Sequence, residues 1–182
     1  MANRSYLYTR HTGDEVEFRD IAEWNYDIPV AHLILVGADP TPCKSAIWTV
    51  DEKIAIEGDA RITRPLFLRL LEWLTPQVDA GFASAAKEAR DYLTRADRQG
   101  DKFHLELGEI YELEGLDLPA MEAATESNAS LAEEVFLDVK RVLETDGSTI
   151  DAFGHERLRA ISNWEEQFGC YFSHVLYFNL GG

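Results

Sequence analysis

Cysteine is scarce in this chain. Its 182 residues hold two, Cys43 and Cys170, with no pattern that would suggest a disulfide framework. Both are expected as reduced thiols of a cytosolic protein. Long apolar runs are missing too. The longest, Val30-Ala31-His32-Leu33-Ile34-Leu35-Val36, is broken by a histidine and falls far short of the roughly 18 residues that a membrane span needs. The opening Met1-Ala2-Asn3-Arg4-Ser5-Tyr6 has no apolar core of a secretory signal, so the expected location is the cytoplasm, away from membranes. Catalytic signatures are absent as well: no Gly-x-Ser-x-Gly elbow, no phosphate-binding glycine loop and no dinucleotide fingerprint. None of the five histidines, His11, His32, His104, His155 and His174, falls in a zinc-binding His-Glu-x-x-His spacing. The sequence therefore predicts no cofactor, no metal and no catalytic residue.

Positive charge is the last shortage. Lys and Arg total 17 against 33 Asp and Glu, a formal net charge of −16. The imbalance is uneven. Residues 1–100 carry 16 acidic and 12 basic side chains, whereas residues 101–182 carry 17 and 5. Such a half attracts cationic proteins and repels nucleic acid and anionic membranes. What is present otherwise is ordinary: 46% hydrophobic, 11% aromatic and 27% charged residues describe a chain able to fold around its own core. The length fits a single domain over residues 1–182, with the acidic half at 101–182.

Local patterns predict an α+β domain, a small mostly antiparallel sheet packed with about five helices. Asn3–Thr9 is expected as a strand covered on both faces, and residues 10–20 as an exposed loop. Ile21–Asn25 is expected as a helical turn. Pro29 suits the first turn of a buried helix that Gly37 closes. Ser45–Val50 and Lys53–Glu57 suggest a hairpin. Helices are expected from Pro65 and from Thr75-Pro76, the second ending at Gly100. Asp101–Leu107 alternates as a strand with one solvated face, and residues 108–117 are expected to be irregular. Pro119 opens a further helix, and Ser130 with Glu133 has capping-box spacing. Leu158, Ile161 and Trp164 suggest a last short helix. Cys170–Leu180 is aromatic enough to predict a strand near the centre of the sheet.

Three segments carry a resemblance. Met1–Tyr8, Trp24-Asn25-Tyr26-Asp27-Ile28-Pro29 and Tyr171–Phe178 resemble an uncharacterised bacterial family whose members share the N-terminal signature Met-Ala-Asn-Arg-Ser-Tyr-Leu-Tyr. The resemblance implies a bacterial, cytoplasmic protein, carried near toxin or secretion genes, and no activity.

The candidate chemistry is thin. His104 and Glu106 would share one strand face and could offer two metal ligands, but a plain polar face is the simpler reading. Cys43 lies beside Lys44, a single cation that could activate a thiol. Ser173 and His174 would point to opposite sides of a strand. The densest feature is acidic: Glu106, Glu109, Tyr111, Glu112, Glu114 and Asp117 form the candidate partner-binding set, with Tyr111 as an aromatic anchor and the carboxylates steering association. The expected function is that of a non-catalytic immunity protein that covers the active site of a basic cognate toxin. The alternative is an enzyme of unrecognised type using His104, Glu106 or His174. A homo-oligomer burying Tyr171–Phe178 is a third possibility.

Overall fold

The computed structural model describes residues 3–12, 16–165, 171–172, 176–178 and 180. The chain opens with two strands, β1 (Arg4–Thr12) and β2 (Val16–Asn25), paired antiparallel from Arg4 opposite Asn25 to Thr12 opposite Val16. The register slips once: Leu7 faces Ala22 while Tyr8 faces Asp20. The extra residue, Ile21, lets both Ile21 and Ala22 bury in the main core, as a bulge turns neighbouring side chains to one side. The expected loop at 10–20 is therefore corrected to strand at 10–12 and 16–20, residues 13–15 lying outside the described ones, and the expected helical turn at 21–25 is corrected to strand. Val16 and Phe18 alternate with Glu17 and Arg19 as a strand requires.

Pro29 then caps helix α1 (Val30–Val36), every residue of which is buried. Gly37 ends it, as the sequence predicts. Strand β3 (Thr41–Cys43) follows, and β4 (Ala55–Asp59) pairs with it across the intervening residues 44–54. The expected hairpin between Ser45–Val50 and Lys53–Glu57 is not formed. Asp59 caps α2 (Ala60–Leu74) by accepting from the Arg61 amide, so this helix starts five residues before Pro65, which lies inside it. Thr75 ends α2, and Asp79, not Thr75, caps α3 (Ala80–Leu93) through the Phe82 amide. After a short 3-10 turn at Ala96–Arg98 comes β5 (Lys102–Glu106). The acidic stretch beyond it is not irregular: it holds α4 (Gly108–Leu113). Asp117 caps the 27-residue α5 (Leu118–Glu144), with Pro119 in its first turn. Ser130 lies in the middle of α5 and bonds back to the Glu126 carbonyl rather than starting a helix. Two 3-10 turns (Ile150–Ala152 and Ala160–Asn163) flank α6 (Glu156–Arg159), and β6 (Tyr171–Phe172) closes the described elements.

The sheet order is β3-β4-β5-β1-β2-β6, antiparallel at every pairing. The α+β class and the single domain follow as expected. The last strand does not: β6 lies at the sheet edge, not its centre, and the remaining residues of that expected strand fall mostly outside the described ones. Leu7, Ile56, Phe103 and Leu105 bury one face of the sheet under α1, α2, α3 and α5. Gly58 makes the tightest joint in this layer. A β-carbon there would stand 2.1 Å from the Val36 carbonyl oxygen, so only glycine lets the end of α1 rest on β4. The other face carries Tyr6, Tyr8, Phe18, His104 and Glu106. It is covered by Ile47 and by Leu176, Phe178 and Leu180 rather than by solvent. No described helix is long and apolar enough to cross a membrane.

Candidate functional site

The six predicted partner-binding residues separate into two groups. Glu106 and Tyr111 are 2% and 1% exposed and offer nothing to a partner directly. Glu106 points under the covered sheet face. The Tyr111 hydroxyl accepts a hydrogen bond from Asn128 on α5 at 3.1 Å. Glu109, Glu112, Glu114 and Asp117 remain at the surface. Asp117 is occupied by capping α5, and Glu109 is anchored to β1: its carboxylate accepts from the Arg4 amide at 2.9 Å and the Tyr6 hydroxyl at 3.1 Å.

Glu109 and Glu112 converge with four apolar or aromatic side chains. Together with Asn3 they line a surface recess walled by Ile47, Trp48, Tyr177 and Phe178. Each wall has a local cause. Trp48 lies against the start of α4, because a β-carbon at Gly108 would meet its indole nitrogen at 2.8 Å. The Ser45 hydroxyl accepts from the Ile47 and Trp48 amides at 3.0 and 2.8 Å and so turns this loop toward the recess. The Phe178 carbonyl accepts from the Tyr8 hydroxyl at 2.7 Å, and the Tyr177 amide donates to Glu23 at 3.0 Å, which pins residues 176–178 across the sheet. Arg4 stacks on the Tyr177 ring, 4.9 Å from its centroid. That ring is thus engaged by a guanidinium of the chain itself. Neither Glu109 nor Glu112 is in an ion pair with a described residue. An apolar-walled recess with two carboxylates at its edge suits the stem and charged head of a lysine or arginine.

A second constellation lies on the same sheet face, beneath Phe18. His104 is buried between two carboxylates: Nδ1 is 3.2 Å from Glu57 Oε1 and Nε2 is 2.8 Å from Glu106 Oε1. Cys43 Sγ stands 3.6 Å from Nδ1, and the Phe18 ring meets the imidazole edge-on at 5.1 Å. Burial pushes the imidazole pKa down. Hydrogen bonds to Cys43, Glu106 and Glu57, with the charge of Glu106, outweigh it and hold the pKa well above the usual histidine range. Burial likewise pushes Glu57 up, but His104, Arg10 and Lys102 outweigh it and leave its carboxyl below the usual range. Arg10 Nη1 donates to both Glu57 oxygens, at 3.0 and 2.9 Å. Glu106 is completed by the Ser45 hydroxyl at 2.6 Å and the Ala46 amide at 2.5 Å. The solvated strand face expected for His104 and Glu106 is thus corrected to a buried ionic network. Sequence reasoning paired His104 with Glu106 and noticed Cys43 apart from them, but missed Glu57 and Ser45 and the place of Arg10 among them. The alternation at 102–106 carried part of the signal; the rest exists only once β3, β4 and β5 align. Of the other candidates, His155 caps α6 through the Arg157 amide, while Ser173, His174 and Cys170 lie outside the described residues.

Neither a curated protein nor a solved structure matches the chain. A family does: the match runs over residues 7–146, taking in β1 from Leu7 onward, β2 to β5, all of α1 to α5 and both constellations apart from Asn3, Tyr177 and Phe178. The chain belongs to the family described as a domain of unknown function, DUF7822.

Proposed function

We propose that this protein is a non-catalytic binding protein that docks a basic protein partner, with a lysine or arginine of that partner seated in the recess between Glu109 and Glu112. The recess carries the reading: two carboxylates and aromatic walls meet at one place, as an anchor pocket for a cationic side chain requires. The surrounding charge supports it. Nine of the twelve cations of residues 1–100 pair with acids of the same half, and among the described residues Asp138 is the single second-half carboxylate paired with a Lys or Arg. Glu112, Glu114, Glu126, Glu133 and Glu134 are left to act on a partner from outside. In its concrete form this is an immunity protein of a bacterial cytoplasm, lying over the active site of a basic toxin. Steering by such a surface raises association rates by roughly 10–1,000-fold and fades with salt. The test is co-purification from the native host at low ionic strength. The reading expects one stoichiometric basic partner that moderate salt releases; recovery of no such partner at low salt contradicts it.

A further inference from the structure

We propose that Cys43, Glu57 and His104 form a three-ligand site for a borderline transition-metal ion, with zinc the ion that the donor set suits. The site uses none of the recess residues, so it stands apart from the docking reading. Its first support is spacing. Cys43 Sγ and Glu57 Oε1 lie 3.6 and 3.2 Å from the same nitrogen, His104 Nδ1, and the three donor atoms fit within 4.8 Å of one another. Zinc takes thiolate sulfur at about 2.3 Å and imidazole nitrogen or carboxylate oxygen at about 2.0–2.2 Å in a tetrahedron. The edges of such a tetrahedron are about 3.6 Å from sulfur to nitrogen and about 3.3 Å from nitrogen to oxygen. The two separations measured from Nδ1 are those edges, so the ion would draw together groups that already surround its position.

The histidine behind the site supplies the second argument. A ligating imidazole is held in orientation by a partner on its other nitrogen, most often a carboxylate that is itself fixed. His104 Nε2 faces Glu106 at 2.8 Å, and Glu106 is in turn held by the Ser45 hydroxyl and the Ala46 amide. Charge and access agree. On binding, a divalent ion would displace the protons of the Cys43 thiol and of His104 Nδ1 to solvent, so that a thiolate and the Glu57 carboxylate bring it two negative charges, while Arg10 keeps that carboxylate in place from β1. Cys43 is partly exposed and sits on β3, the edge strand of the sheet, which gives an ion a way in. Three protein ligands leave a fourth position for water. Thiolate with imidazole favours zinc over magnesium or calcium, which prefer oxygen alone.

The experiment titrates the full chain, first stripped with chelator, with Co²⁺ and then Zn²⁺. One equivalent of Co²⁺ should bind with a thiolate-to-cobalt absorption band, and Zn²⁺ should displace it and slow alkylation of Cys43. Cys43→Ser should abolish the band with an unchanged circular dichroism spectrum, and Cys170→Ser should keep it. Glu106→Gln should retain the band but weaken zinc binding by roughly 10–100-fold. Cys43 is partly exposed, so its variant carries the test even if the buried Glu106→Gln fails to fold. No thiolate band in the wild-type protein, a band that survives Cys43→Ser, or one lost in Cys170→Ser overturns the site.

Discussion

His32 shows what one buried polar side chain imposes on the whole protein. It lies in α1, fully buried, with Nδ1 3.2 Å from the Ser5 hydroxyl. Ser5 uses its own proton on the Asp27 carbonyl, so His32 must be the donor, and Nε2 is left in the core without a partner. Burial is the whole cause of its lowered pKa, about 3. A folded value below the unfolded one means that stability is complete at neutral pH. It is lost as pH falls through the ordinary histidine range toward 3, at up to about 1.4 kcal/mol per pH unit for one proton. Denaturant unfolding of His32→Leu between pH 7 and pH 4 should show a slope shallower by about one proton. An identical slope in wild type and variant would show that His32 is not the group that makes the fold acid-sensitive.

At the scale of elements, close joints and caps place both sites. Gly58→Ala should cost about 1–3 kcal/mol or more, because its new carbon meets the backbone of Val36 rather than a side chain able to move. Asp117→Ala should cost about 1 kcal/mol by leaving the Ala120 amide at the start of α5 uncapped. Both are read from urea midpoints, and a Gly58→Ala change near zero would mean that α1 can slide along β4. These elements also show what the sequence could say. α1 was legible because Pro29 and Gly37 bracket an apolar run, and β5 because Phe103 and Leu105 alternate with His104 and Glu106. The pairing of β3 with β4 was not legible. Thr41–Cys43 meets Ala55–Glu57 across a stretch that holds its own β-branched and aromatic run, and β4 then gains its other partner from β5, far along the chain. Ser130 and Thr75 misled in the same way. Each is a good cap by type, yet each hydroxyl bonds back to a carbonyl four residues earlier within or at the end of a helix. The buried network escaped because Cys43 and His104 are 61 residues apart. Only the sheet order makes Cys43, Glu57 and His104 neighbours.

Across the whole molecule, net charge was legible from composition, but its focus was not. Six residues after Leu105 were expected to act as one surface; the fold buries Glu106 and Tyr111, gives Asp117 to a helix end, and gathers Glu109 and Glu112 beside aromatic side chains from the loop after β3 and the end of the chain. That regrouping turns a diffuse acidic half into a specific place for a cationic side chain. The distinction between focus and bulk charge can be measured. Glu112→Lys and Glu144→Lys change the net charge by the same amount at two exposed positions of the acidic half, one in the recess and one at the end of α5. Affinity for the co-purified partner, determined for both variants at one low ionic strength, separates the possibilities. The account predicts that Glu112→Lys loses binding by at least tenfold, about 1.4 kcal/mol, whereas Glu144→Lys changes it far less. Equal losses, or none with Glu112→Lys, would contradict docking at the recess.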